Sequence, residues 1–140
     1  MGLFKPAWES ANKEKALKAV EKLTNQTKLK VIAKNTAIFG AVRFAATIKV
    51  DDQMLAQEMF ADIAKNDNNS NVRYRAVSKL DDQSLLAGLA FSNDKSVRMV
   101  VAGKLADTAL AQKIYASIAE HCILFGFGYE EEAALRRQCC

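Results

Sequence analysis

The strongest constraint on this 140-residue chain is a phrase that it repeats. Val72-Arg73-Tyr74-Arg75-Ala76-Val77-Ser78-Lys79-Leu80-Asp81-Asp82-Gln83 follows the pattern of Val42-Arg43-Phe44-Ala45-Ala46-Thr47-Ile48-Lys49-Val50-Asp51-Asp52-Gln53. Val97-Arg98-Met99-Val100-Val101-Ala102-Gly103-Lys104-Leu105-Ala106-Asp107 is a third copy. A degenerate first copy runs from Ala16 to Gln26, with Ala16 at the arginine position and Lys22, Lys49, Lys79 and Lys104 in one column. A period of this length predicts stacked helical units, because one unit cannot bury its apolar face alone.

Each unit reads as two helices. In the first, apolar residues recur at helical spacing, as at Val72, Ala76, Val77 and Leu80. The Asp-Asp-Gln run then interrupts, and aspartates suit helix starts because they accept from free amides and match the dipole. A second helix follows, as over Ser84–Phe91, and polar runs such as Asn66–Asn71 close the unit. One proline and six glycines in the whole chain agree with helix. The expected fold is all-α, a right-handed α-solenoid in a single domain. Its helical pairs are placed at 12–35, 42–66, 72–92 and 97–121, between an N-terminal cap over 1–11 and a C-terminal cap helix over 122–140.

The second helices differ in length. Ile32-Ala33-Lys34-Asn35 returns as Ile63-Ala64-Lys65-Asn66, 31 residues on, whereas Gln26 and Gln53 are 27 apart. The second unit therefore holds four extra residues, about one turn, which keeps its apolar face in phase. The fourth unit shows the same addition: Ile118-Ala119 lies 29 beyond Leu89-Ala90, and Lys104 lies 25 beyond Lys79.

The formal charge of +4 is unevenly spread. Residues 1–50 hold ten Lys and Arg against three acids, and residues 51–140 hold ten against thirteen. A basic first half can face nucleic acid, anionic lipid or an acidic protein, or simply water. Cys122, Cys139 and Cys140 are an odd, clustered set outside the repeats and do not read as a secreted disulfide framework. Met1–Ser10 lacks the apolar core of a secretory signal, so a soluble cytoplasmic setting is expected.

The pattern Val-Arg-x-x-Ala-Val-x-Lys-Leu, with Asp or Asn shortly before it, resembles HEAT-like repeats, of the short bacterial kind also seen in phycobilin-lyase-type proteins. The resemblance spans roughly Asn12–Glu120. It implies that a loop aspartate and the arginine opening the next helix bond along the stack: Asp67 with Arg73, and Asp94 with Arg98. Before Arg43 stand Asn35 and Thr36 instead. Such stacks serve as scaffolds, chaperones, lyase subunits and DNA glycosylases, so the resemblance implies a fold and leaves the chemistry open.

Among candidate sites, the arginine column could meet phosphates, or it could form an internal ladder to loop aspartates or carbonyls. The ladder is favoured, because each arginine sits beside a valine at a helix start. Lys28, Lys30 and Lys34 lie on one short second helix, where such stacks present their concave, partner-binding face. Phe60 and Phe91 end or extend second helices and are expected to offer an exposed pair. Phe44, Tyr74 and Met99 share a column expected to be a packing layer. His121-Cys122 has neither metal-ligand spacing nor a partner motif, so no metal, cofactor or catalytic residue is expected. The leading expectation is a non-enzymatic adaptor that holds a protein or peptide. A nucleic-acid-binding repeat protein and a bilin lyase or lyase chaperone are the alternatives.

Overall fold

Helices begin in this chain where an Asn or Asp can accept from a free backbone amide. A computed structural model describes the backbone of residues 5–123 and the side chains of 5–120. Its helices are α1 (Lys13–Glu21), α2 (Gln26–Lys34), α3 (Gly40–Lys49), α4 (Gln53–Asn66), α5 (Ser70–Ser78), α6 (Gln83–Gly88), α7 (Lys95–Lys104) and α8 (Thr108–Ile123), after a 3-10 turn at Ala7–Glu9. The described residues hold helices and no strand. No described helix is long and apolar enough to cross a membrane. Asn12, Asn25, Asp52, Asn69, Asp82, Asp94 and Asp107 cap their helices through the side chain. Only α3 departs, with Phe39 at its N-cap and no side-chain cap bond. The putting of caps on seven helices explains how short segments such as α6 are helical at all, since isolated helices of this length are marginal.

The chain forms two compact units, one ending at Lys79 and one beginning at Leu80. In the first, α3 packs on α1, α2, α4 and α5, and α4 packs on α5. Ala16, Val20, Leu29, Ile32, Ala33, Val42, Ala46 and Val50 form a buried cluster, against which Trp8, Ile38, Leu55 and Met59 pack. Phe44 and Phe60 meet with ring centroids 5.6 Å apart, and Arg75 lies over the Phe44 ring at 4.6 Å. In the second unit α7 packs on α6 and α8, and Leu86, Val97, Val101 and Ile114 are fully buried. Each such side chain removed from water contributes about 1.5–3 kcal/mol.

A second repeated contact joins successive repeats within each unit. The Gln26 side-chain amide donates to the Lys49 carbonyl at 3.0 Å and accepts from the Asp51 amide at 3.0 Å. Gln83 does the same, donating to the Lys104 carbonyl at 3.2 Å and accepting from the Ala106 amide at 2.8 Å. In the second repeat Gln57, not Gln53, donates to the Lys79 carbonyl at 3.0 Å. Gln57 is 31 residues beyond Gln26, the same offset that relates Ile32 to Ile63. The extra turn of α4 is therefore Gln53–Ala56, at its start. Its Leu55 packs on the first cluster, while Met54 is 79% exposed. The lysine column adds to these joints: Lys49 Nζ donates to the Val20 and Glu21 carbonyls at 2.9 and 2.6 Å, closing the C-terminus of α1.

Two tests follow from this geometry. Gln57→Ala should lower stability by about 1 kcal/mol, and Gln53→Ala, which has no such joint, by under about 0.5 kcal/mol, read as urea midpoints. A β-carbon at Gly40 would coincide with the Asp67 carboxylate, whereas one at Gly103 would meet only the Tyr115 hydroxyl, at 3.8 Å. Gly40→Ala should therefore destabilise by about 1–3 kcal/mol and Gly103→Ala stabilise by about 0.5–1 kcal/mol, checked by thermal unfolding.

Candidate functional site

The basic helix α2 buries Leu29, Ile32 and Ala33, which leaves its lysines on the other side. Lys30 Nζ lies 3.7 Å from Asp51 and 3.9 Å from Asp52. Lys28 Nζ stands 6.0 Å from the Trp8 ring centroid, and Lys34 is exposed. The turn between α3 and α4 thus supplies carboxylates to balance part of the α2 charge, so the run is less basic in space than in sequence.

The aromatic expectations need correction. Phe60 is only 5% exposed, because it occupies in α4 the core register that Leu29 occupies in α2. Phe91, just beyond α6, is 70% exposed, so the two phenylalanines do not form an exposed pair. In the column after each arginine, Phe44 is buried on Phe60, but Tyr74 is half-exposed. That column is not a uniform packing layer: Phe44 has a ring to pack on, and the Tyr74 ring carries a hydroxyl that water solvates.

The arginines bond mainly to carbonyls. Arg73 Nη1 donates to the Asp67 backbone carbonyl, and Arg98 Nη1 to that of Ser92, both at 2.6 Å and both six residues upstream. The acceptor at Asp67 is thus its carbonyl. Its carboxylate turns instead to the Asn69 amide at 2.8 Å and to the Cα of Gly40. Asp94 spends its side chain capping α7, accepting from the Ser96 and Val97 amides. Arg98 keeps a buried Nε with no hydrogen-bond partner among the described residues. Arg43 differs again, because five residues separate α2 from α3 where three separate α4 from α5. It is 5% exposed, and its Nε donates to the Ala33 carbonyl at 3.0 Å. Its Nη2 donates to Asp62 at 2.7 Å.

That longer linker opens a cleft of about 750 Å³ in the first unit. It is lined by Glu9–Ala11, the 36–40 segment, Arg43, Asp62, Asn66 and the 67–69 loop. This volume falls in the range of small-ligand sites. Partial burial pushes the Asp62 carboxyl up, but hydrogen bonds from Arg43 and from Asn66, at 2.8 Å, and the charges of Arg43 and Lys65 outweigh it. The net effect holds Asp62 below its ordinary value and ionised at neutral pH. The cleft escaped the sequence reading because Asp62 has no counterpart in the repeat; the offset between Gln26 and Gln57 places it opposite Val31. The one legible signal was the longer spacing before Arg43.

Among the described residues no three His, Cys, Asp or Glu side chains gather as a metal site would require. The side chains of His121 and Cys122, with Cys139, Cys140 and nearly all of the expected 122–140 cap, lie outside the described residues.

The lowered Asp62 pKa sets a pH dependence. Its contribution is present above the ordinary carboxyl value of 3.8 and is lost as pH falls through the lower folded-state value. Asp62→Asn should cost about 1–3 kcal/mol at pH 7, with a smaller gap from the parent chain near pH 3, read as urea midpoints. No protein-family model matches this chain, and searches of curated proteins and of solved structures return no match to it.

Proposed function

We propose that this chain is a non-enzymatic scaffold, a HEAT-like, right-handed stack of helical hairpins that holds a protein partner on its exposed surface. The observation that carries the reading is the set of large apolar side chains left in water around well-filled cores. Met54 and Phe91 are the most exposed, and Val31, Ile48 and Tyr74 join them. Binding surfaces draw their energy from a few such residues. Lys34 beside Val31 on α2 gives that part of the surface a charged rim. The repeated glutamine joints support the stacked-hairpin architecture, since they set each repeat on the next in the same way within a unit. A nucleic-acid reading draws less support, because Lys30 sits beside two aspartates and Lys28 beside Trp8.

Peptides selected from a displayed library should bind the parent chain and lose at least about tenfold in affinity to one of Val31→Ser, Met54→Ser or Phe91→Ser. Circular dichroism should show each variant as helical as the parent. If the library yields no binder, or if the selected peptides bind all three variants undiminished, the scaffold reading is wrong.

A further inference from the structure

We propose that the cleft of the first unit receives a basic side chain, an arginine above all, from a bound polypeptide, an inference that rests on the partner-binding reading. Three carboxylates line the cleft, at Glu9, Asp62 and Asp67, against one guanidinium, at Arg43. The guanidinium is committed inward, to the Ala33 carbonyl and to Asp62, and is almost wholly buried. What the cleft presents to a visitor is therefore net negative charge. The surrounding unit has the opposite sign: residues 1–79 hold fourteen Lys and Arg against eight Asp and Glu. At physiological ionic strength fields fade over about 8 Å, so a group inside the cleft meets the lining and not the distant lysines.

The lining is more than a set of acids. Phe39 is 43% exposed on the cleft wall, beside Ile38. An exposed aromatic face next to carboxylates suits a guanidinium, which stacks on the ring while its donors reach oxygen acceptors. Asn66 and Asn68 add side-chain carbonyls to the acceptor set. The aliphatic stem of an arginine or lysine would lie along Ile38 and Phe39, with its charged head among Glu9, Asp62 and Asp67. Phosphate or carboxylate ligands find the reverse, a cleft whose one cation already has its partners.

The probe is N-acetyl-arginine amide, titrated into the full ¹⁵N-labelled chain. Saturable shifts are expected at the amides of Phe39, Gly40 and 66–69, with a Kd on the order of millimolar, ordinary for so small a ligand. Glu9→Gln and Phe39→Ala should each weaken binding by about two- to fivefold, as loss of an exposed ion pair or ring contact does. Glu9 is exposed, so the first variant keeps the fold even if the second alters the start of α3. Shifts no larger than those from anionic N-acetyl-glutamate amide, no saturation, or full affinity in Glu9→Gln would overturn the proposal. Library peptides that bind through Met54 or Phe91, lack basic residues and leave the cleft amides unmoved would remove the cleft and keep the scaffold. Saturable arginine binding with no selected peptide would keep the cleft and remove the scaffold.

Discussion

A side-chain amide that donates and accepts at once sets the spacing of the repeats. Glutamine is suited to this because its carbonyl and amino groups are fixed in one plane. Gln26 and Gln83 each satisfy both a carbonyl and an amide in the turn that ends the next repeat's first helix. Those backbone groups belong to helix ends, which have no partner within their own helix. Hydrophobic burial holds the helices together but is indifferent to small slides. The two-point amide contact is not, so packing supplies the strength of the joint and glutamine its register.

Much of the fold was legible in the chain. The repeated Val-Arg phrase located the helical pairs, and the Asp-Asp-Gln runs located helix starts, because the second aspartate of each run is the N-cap. The added turns were also visible as mismatched offsets. The sequence reading could not assign the working glutamine of the second repeat, since Gln53 fits the motif and Gln57 fits the geometry. Phe60 was misread for the same reason. Once counted from Gln57 it falls in the core register, and its burial is then expected.

The candidate site was barely legible. Its parts come from a non-repeating aspartate, a longer linker and the amino-terminal residues 9–11, none of which belongs to the repeated phrase. A repeat motif reports what every copy shares, and a cleft confined to one place arises where a copy departs. Arg43 shows this clearly. It has the same place in the phrase as Arg73 and Arg98, yet the two extra linker residues redirect it to α2 and to Asp62.

The position of the glutamine also gives insertions a direction. In α4 the added turn lies before Gln57, and in α8 an equal addition lies before Gln112, which is 29 residues beyond Gln83 as Ile118 is beyond Leu89. Residues that follow the glutamine keep a fixed distance to it in every repeat, whereas those that precede it vary by a whole turn. Length variation in such a chain is thus polar: a second helix lengthens at its start, where nothing is counted, and is held constant toward its end, where the next repeat is measured off.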